Sequence, residues 1–163
     1  MSWSRRQFLV VAGASALPAC GFTPVYGPTG QAGRLLGQIA LPAPRTEDMF
    51  SFVQRFEERL GRAPAGAPYM LDLVLETSQQ DLGRTSAGEI TRYRVTGQAN
   101  YTLLGEAEVE LLSSQTAAFT GYSATGSSVA TLAGERDARD RLMIILADQV
   151  VDALLIAAAD LPA

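Results

Sequence analysis

The sequence predicts an α+β domain in which two helices pack on one face of a roughly four-stranded sheet, in the order β-α-β-β-β-α. Three observations lead to this fold class. Apolar residues recur at helical spacing over residues 46–61, polar and apolar residues alternate over 90–104, and a broad apolar helical face follows over 135–159. No segment repeats, so residues 34–163 are expected to form a single domain with its own core.

The first 19 residues have the three-part layout of an export signal. Arg5 and Arg6 are followed by an apolar stretch over residues 8–17 and then by small residues. This stretch is shorter than the ~20 apolar residues that a membrane-spanning helix needs. The segment Ser4 to Leu9 also resembles a twin-arginine signal, and an ordinary secretory signal is the alternative. Either route predicts that the signal is removed and that the mature chain lies outside the cytoplasm.

Cys20 follows directly after this signal and is the only cysteine of the chain, so it cannot form an internal disulfide. A lone cysteine at the end of an export signal is typical of a thiol that is lipidated at the mature N-terminus, and a free buried thiol is the alternative. The sequence therefore predicts attachment to a membrane through lipid on Cys20. Residues 20–33, which include many Gly, Pro and Thr residues, are predicted to be a tether.

The first elements of the domain are predicted to be a strand and a helix. Residues 34–41 have the pattern of a strand and are followed by two prolines. Thr46 is a suitable N-cap for the helix, and Gly61 lies just past its C-terminal end. Between these ends, apolar residues at helical spacing form one stripe, which consists of Met49, Phe52, Val53, Phe56 and Leu60. An apolar stripe on a helix can bind a partner, but we expect this one to cover the sheet.

Two more strands are predicted after a loop at residues 61–68. Leu71, Leu73 and Leu75 alternate with other residues in the first of them, and the polar residues 79–88 are expected to form a turn or an exposed loop. The second covers residues 90–104 and would reach roughly 50 Å at about 3.3 Å per residue, so it should project past a small core. Its wet face is predicted to hold Arg92, Arg94, Thr96, Gln98, Asn100 and Thr102, opposite Tyr93, Val95, Ala99, Tyr101 and Leu103.

A fourth strand is expected after a turn at Gly105, and a final helix after a small-residue loop at 125–134. The alternation breaks at Leu111 and Leu112, which predicts a bulge. The apolar face of this strand is predicted to hold Ala107, Val109 and Leu111 before the bulge and Ala117, Phe119 and Gly121 after it. The final helix then covers the sheet from one side, so that the opposite sheet face is left polar and available for contact.

The composition excludes several function classes. Residues 1–19 hold two of the 13 basic residues and none of the 17 acidic ones, so the rest of the chain carries a net charge of about −6 and is not a nucleic-acid binder by bulk charge. The chain has no histidine and no lysine. Histidine-based triads, cysteine–histidine pairs, lysine nucleophiles and the usual zinc sites are therefore excluded.

Carboxylates and hydroxyls are the reactive groups that remain. Asp148 and Asp152, four residues apart on the last helix, could form a carboxylate pair or a hard-metal site, but a solvated polar helix face explains them better. Glu106, Glu108 and Glu110 suggest calcium, yet no Asp-rich loop of the required spacing accompanies them. The sequence therefore predicts no enzyme, no metal and no cofactor.

Four segments resemble the LptE family of lipopolysaccharide-assembly lipoproteins. Residues 20–27, Cys-Gly-Phe-Thr-Pro-Val-Tyr-Gly, are similar to the family's Cys-Gly-Phe-x-Pro-x-Tyr-Gly start. Residues 130–150 resemble the family's alanine-rich entry to its final helix, which carries an Asp-Gln-Ile/Val motif. The strand segments 93–95 and 101–103 are similar to its long hairpin. The resemblance extends over essentially the whole mature chain.

This resemblance implies two helices on a four-stranded sheet and a role as the plug of an LptD-type outer-membrane β-barrel. It also implies lipopolysaccharide binding, for which Arg84, Arg92 and Arg94 are the candidates because guanidinium groups pair with phosphate. The alternatives are that these arginines only keep the surface soluble or that they contact acidic residues of the barrel. Gly21, in place of an aspartate after the lipidated cysteine, favours the periplasmic side of the outer membrane. The residues expected to face the polar barrel lumen are Thr96, Gln98, Asn100 and Thr102.

Two other functions are compatible with a lipid-anchored domain. One is a periplasmic lipoprotein adaptor of a lipid or solute transporter, which would use the same anchor and the same sheet face. The other is a lipid-anchored hydrolase, which would need a catalytic Asp or Glu. The segment 22–27 and the long hairpin favour the LptE interpretation over the adaptor.

Overall fold

The computed structural model describes residues 31–159 and residue 161. The predicted export signal, Cys20 and most of the predicted tether lie outside these residues. The structure is α+β, with two helices and a four-stranded mixed sheet, so the predicted class and element order are confirmed. The elements are β1 (Ile39–Ala40), α1 (Glu47–Leu60), β2 (Tyr69–Arg84), β3 (Ile90–Leu104), β4 (Glu110–Ser123) and α2 (Ser128–Ala157).

The strands lie side by side in chain order, β1-β2-β3-β4. β1 is parallel to β2 and pairs with it only at Tyr69 and Met70. β2, β3 and β4 form an antiparallel meander, in which Tyr101 lies between Leu73 of β2 and Ser114 of β4. Since β1 is so short, the side of β2 that faces away from β3 has no described strand beside it over most of its length, and β4 ends the sheet at the opposite edge.

α1 has the ends that the sequence predicts. The Thr46 hydroxyl accepts a hydrogen bond from the Met49 N–H at 3.2 Å, which satisfies a free donor of the first turn. Gly61 ends the helix with a φ of 79°, a conformation that glycine adopts at little cost. The apolar stripe faces inward, and its buried members are Phe52, Val53, Phe56 and Leu60.

α2 begins two turns earlier than predicted, at Ser128 instead of Glu135. There the Ser127 hydroxyl accepts a hydrogen bond from the Ala130 N–H at 3.3 Å. The prediction of a loop over residues 125–134 is therefore wrong for residues 128–134, because alanines, serines and Gly134 give this segment no apolar period. The buried residues of α2 are Ala138, Leu142, Met143, Leu146, Ala147, Val150, Val151, Leu154 and Leu155.

The core lies between the helices and one face of the sheet, which we call the covered face. Val95, Ala99 and Leu103 of β3 are completely buried there. Gly97, in the same row, lets α2 approach closely, since a Cβ at this position would lie 2.9 Å from Leu142 Cδ2. A close approach of this kind increases the contact between the helix and the central strand.

Two predicted strand limits are wrong. β1 covers only residues 39–40 of the predicted 34–41, because residues 31–34 form a 3-10 turn and Gly37 has a φ of 64°. Residues 79–84, predicted as a loop, continue β2 and pair with the start of β3. Their side chains are mostly exposed, so this part of the strand has no apolar alternation from which it could be recognised.

The orientation of β4 also differs from the prediction. Residues 106–108 form a 3-10 turn in which Ala107 has a φ of 56°, so the strand begins only at Glu110. A register shift opposite Leu103 and Leu104 confirms the bulge near Leu111. Beyond the bulge, Ala118, Thr120 and Tyr122 lie on the covered face, whereas the predicted apolar row faces away from the helices. That row is Ala117, Phe119 and Gly121.

Candidate functional site

No described element covers the side of the sheet opposite the helices, and we call this side the open face. Paired residues of neighbouring strands project to the same side, so the register defines its members. The predicted polar row of β3 runs along its middle. The open face consists of Asp72, Val74, Glu76 and Ser78 of β2, Thr96, Gln98, Asn100 and Thr102 of β3, and Ser113, Gln115, Ala117 and Phe119 of β4.

Hydrogen bonds across the strands hold these polar side chains in place. The hydroxyls of Thr96 and Ser78 lie 2.6 Å apart. The Gln98 amide donates to Asn100 Oδ1 and to Gln115 Oε1, both at 3.0 Å. The four predicted partner-facing residues therefore form part of an ordered polar surface that carries no charge along β3 from Thr96 to Thr102.

Two shallow depressions lie on the open face. One, of about 360 Å³, is bounded by Asp72, Asn100 and Gln115. The other, of about 430 Å³, lies between Ser78, Thr96 and Phe119, toward the end of the sheet where β2 turns into β3. It is more apolar because of the aromatic ring. Such open depressions lack the enclosure of a typical small-molecule pocket and are better suited to contact with another macromolecule.

Arg94, one of the three predicted lipopolysaccharide ligands, contacts Phe119 of the second depression. Arg94 Cζ lies 4.8 Å from the centroid of the Phe119 ring, within range of a cation–π contact. Its Nε atom is buried and has no hydrogen-bond acceptor among the described residues. Arg92 is exposed on the same strand and makes no ion pair with another described residue. Arg92 and Arg94 thus lie on the same side of β3, and the guanidinium of Arg94 lies against the aromatic ring that borders the second depression.

Arg84 is placed differently. Its guanidinium forms an ion pair with Asp81 at 2.6 Å and donates to the Gly88 carbonyl at 3.3 Å. These contacts hold the turn between β2 and β3. To bind a phosphate, Arg84 would have to exchange the Asp81 carboxylate for the ligand.

Phe119 is the site residue that the sequence prediction misplaced. Its side chain is 63% exposed although it was expected in the core. The alternation in β4 is ambiguous, because Ala117 and Ala118 are both small and Phe119 is the largest apolar residue nearby. The buried hydroxyl of Thr120, which donates to the Ala138 carbonyl at 2.8 Å, shows which row packs under α2.

Asp148 and Asp152, which the sequence offered as a carboxylate pair, form ion pairs with arginines of α1. They face α1, where Arg59 Nη1 lies 2.8 Å from Asp148 and Arg59 Nη2 lies 2.7 Å from Asp152. Arg55 adds two hydrogen bonds to Asp148 at 2.9 and 3.2 Å. In the described part of the chain, no group of three or more His, Cys, Asp or Glu side chains is placed to hold a metal ion.

These contacts change the acidity of Asp148. Partial burial is the largest single influence and raises the pKa of this carboxyl, but the hydrogen bonds and charges of Arg55 and Arg59 together outweigh it. The pKa of Asp148 therefore lies below its ordinary value, and the pKa of Arg55 is raised mainly by its hydrogen bond to Asp148. The two aspartates thus link the helices, rather than forming the simple solvated helix face that the sequence suggested.

No helix among the described residues is both long and apolar enough to cross a membrane.

A family model described as LptE, lipopolysaccharide-assembly, matches residues 36–154, well over half of the chain. Among curated proteins, no sequence matches significantly.

Three solved structures share the fold. A lipoprotein from Caulobacter crescentus CB15 has a TM-score of 0.65 and 18% identity, over 80% of this chain and 98% of that chain. Lipoprotein B from Nitrosomonas europaea has a TM-score of 0.59 and 12% identity, over 77% and 88%. Rare lipoprotein B from Shewanella oneidensis has a TM-score of 0.57 and 10% identity, over 76% and 96%. At such identities these likenesses concern the fold alone, whereas the family match covers the sequence itself: the chain belongs to the LptE family of outer-membrane lipoproteins that act in lipopolysaccharide assembly.

Proposed function

We propose that this chain is a lipid-anchored plug of an LptD-type β-barrel and that it contacts lipopolysaccharide during assembly at the cell surface. The observation that carries the proposal is the open face, a helix-free and ordered polar surface on a sheet with an unusually long hairpin. Strands of 16 and 15 residues are far longer than the usual five or six. The uncharged polar row of β3, from Thr96 to Thr102, suits the polar interior of an outer-membrane barrel.

The anchor is proposed from the sequence. Removal of residues 1–19 and lipidation of Cys20 would attach the chain to the periplasmic side of the outer membrane. The predicted domain begins at about residue 34, so the 13 residues 21–33 separate the lipidated cysteine from it. The family is a non-enzymatic component of lipopolysaccharide transport, and we propose that this chain also acts by contact and not by catalysis.

The barrel contact can be tested with Asn100→Trp, which places a bulky ring in the middle of the open face without entering the core. We expect the variant to lose association with the barrel, because a flat interface tolerates a protruding ring poorly. The measurement is the amount of LptD-type barrel that co-purifies with the tagged full-length chain from detergent-solubilised membranes. Gln54→Trp, on the exposed side of α1, is the matched control and should retain the barrel.

Three results of this experiment would contradict the barrel role. Equal recovery of the barrel by the Asn100→Trp and Gln54→Trp variants would remove the open face from the interface. Recovery of inner-membrane transporter subunits with the unaltered chain would favour the adaptor function. The absence of any barrel with the unaltered chain would overturn the proposal as a whole.

The lipopolysaccharide contact can be tested by reversing the charges of Arg92 and Arg94 together. We expect the affinity for lipopolysaccharide to fall by about tenfold or more, because each charge-assisted contact with phosphate is worth about 1.5–3 kcal/mol. Barrel association should remain. The matched control is Arg45→Glu with Arg136→Glu, which makes the same change in net charge at two exposed arginines elsewhere. Equal binding by the two double variants would show that only bulk charge matters, and unchanged binding by the Arg92/Arg94 variant would exclude this site.

A further inference from the structure

The two outer edges of the sheet differ in how they are protected. Beyond β1, the exposed edge of β2 carries Asp72, Glu76 and Asp81 and has a bulge next to Gly83. Charges and bulges of this kind prevent another strand from adding to an edge. Residues 111–123 of β4 contain no charged residue and no proline. From Leu112 to Ser123 the register of β4 with β3 is also unbroken.

The hydrogen-bond pattern shows which backbone groups of β4 point outward. The Ala124 N–H donates to the Thr91 carbonyl at 2.9 Å, across the β3–β4 pair. Alternate residues of a strand turn their N–H and C=O groups to opposite sides. The even-numbered residues of β4 therefore bond to β3, and the odd-numbered ones point away from the sheet. These outward residues are Ser113, Gln115, Ala117, Phe119, Gly121 and Ser123.

Most of these outward groups are unpaired. The Gly121 carbonyl accepts a hydrogen bond from the Arg141 guanidinium at 3.4 Å. This contact protects the C-terminal end of the β4 edge. Within residues 31–159, no hydrogen bond involves the outward backbone groups of Ser113, Gln115, Ala117 or Phe119. A row of free donors and acceptors this long is a template for another strand.

We propose that an extended, uncharged segment of the barrel partner adds to β4 as a fifth strand over residues 113–119. This inference rests on the proposed function and specifies the mode of contact. Because β4 offers no charge over this stretch, backbone hydrogen bonds rather than ion pairs hold the added strand. The segment lies beside Gln115, Ala117 and Phe119, so that the strand edge and the open face form one continuous interface.

A second copy of this chain fits the edge less well. Residues that face each other across paired strands project to the same side, so a second copy paired antiparallel through its own β4 would bring its helices to the covered side. α2 already runs along this edge, where Gln149 contacts Thr116 and Arg141 contacts Gly121. The two α2 helices would compete for the same space, whereas a single strand brings no helix layer.

Ala117→Pro tests the proposal. Proline removes an N–H that points outward and is not used by the β3–β4 ladder, so the fold should remain while the added strand is blocked. We expect barrel association to weaken by about tenfold or more, since several hydrogen bonds of the added strand are lost together. The matched control is Thr77→Pro on β2. The even-numbered residues of β3 form their backbone hydrogen bonds with β2, and Thr96 is paired with Ser78. The even-numbered residues of β2 near this pair therefore bond to β3, and the N–H of Thr77 points away from the sheet.

Amide hydrogen exchange keeps the test decisive if either proline variant fails to fold. In the purified complex of the unaltered chain with the barrel, the amides of Ser113, Gln115, Ala117 and Phe119 should exchange about a hundredfold more slowly than in the free chain. The amides of Ser114, Thr116 and Ala118, which bond to β3, should be slow in both states. This alternation is specific to an added strand, because burial of the open face alone would not select the odd-numbered amides.

The possible outcomes separate this proposal from the broader one. A complex that forms while the four outward amides exchange as in the free chain would overturn the fifth strand and leave the barrel role standing. Failure of the unaltered chain to bind the barrel would remove both. Slow exchange of these amides in the isolated chain, together with twice the monomer mass, would identify a second copy as the occupant and would also overturn the proposal.

Discussion

Single residues of this chain have environments that their spacing in the sequence does not reveal. Asp148 and Asp152 have the four-residue spacing of a solvated polar stripe, and the sequence contains nothing that assigns Arg55 and Arg59 as their partners. These partners cannot be recognised from sequence spacing because Arg55 and Asp148 are 93 residues apart in the chain. Local periodicity describes one helix at a time, whereas ion pairs between helices depend on how the two helices pack.

At this scale we predict that Asp148→Asn lowers the free energy of unfolding by about 1 kcal/mol near neutral pH. Hydrogen bonds to a charged group contribute more than this to the free energy of unfolding, but the contribution of Asp148 is smaller because its side chain is partly exposed and screened by solvent. The measurement is urea unfolding of the two proteins at several pH values. Asp137→Asn is the control, since its pair with Arg141 lies on the exposed surface and should matter little.

The pH dependence of this difference has a definite sign. The folded-state pKa of Asp148 is depressed, so its contribution is fully present above the unfolded-state pKa of about 3.9. It is lost as the pH falls through the lower, folded-state pKa. The stabilities of the original protein and of Asp148→Asn should therefore converge below about pH 4. A difference that grows on acidification would contradict the ion-pair account.

Whole strands and helices were predicted best where one side is buried and the other is exposed. The alternation of β3 assigns both faces correctly, because alternate residues of this central strand are buried from Val95 to Leu103. Residues 79–84 of β2 were missed because their side chains are mostly exposed and only Leu82 is a large apolar residue. In β4, the bulge at Leu111 shifts the alternation by one residue, and a shift of one exchanges the two faces.

At this scale we predict that Gly97→Ala separates α2 from β3. A Cβ at this position would lie 2.9 Å from Leu142 Cδ2 and 3.0 Å from Leu146 Cδ1, both in the fully buried core. Overpacking of this kind costs about 1–3 kcal/mol, so the melting temperature should fall. The measurement is thermal unfolding by circular dichroism. Gly33→Ala, where a Cβ meets nothing within 4 Å, should change stability by less than about 0.5 kcal/mol.

For the whole molecule, the sequence predicted the architecture but not the extent of the contact surface. The order of elements and the polar row of β3 follow from periodicity, and they were sufficient to place Thr96, Gln98, Asn100 and Thr102 on an uncovered face. The pairing of Arg94 with Phe119 and the free edge of β4 depend on the register between strands. Register is a property of the assembled sheet, so neither feature could be derived from one segment alone.

The agreement between strand order and chain order has a consequence for how the protein folds. The β2–β3 and β3–β4 pairs each close through five residues, 85–89 and 105–109, so their contacts are between residues that are near in the chain. Closing short loops costs little entropy, and chains rich in local contacts fold quickly. The meander is therefore expected to form early in the folding pathway. The joining of α1 to α2, which brings together residues 93 apart, is expected to be the slower, late step.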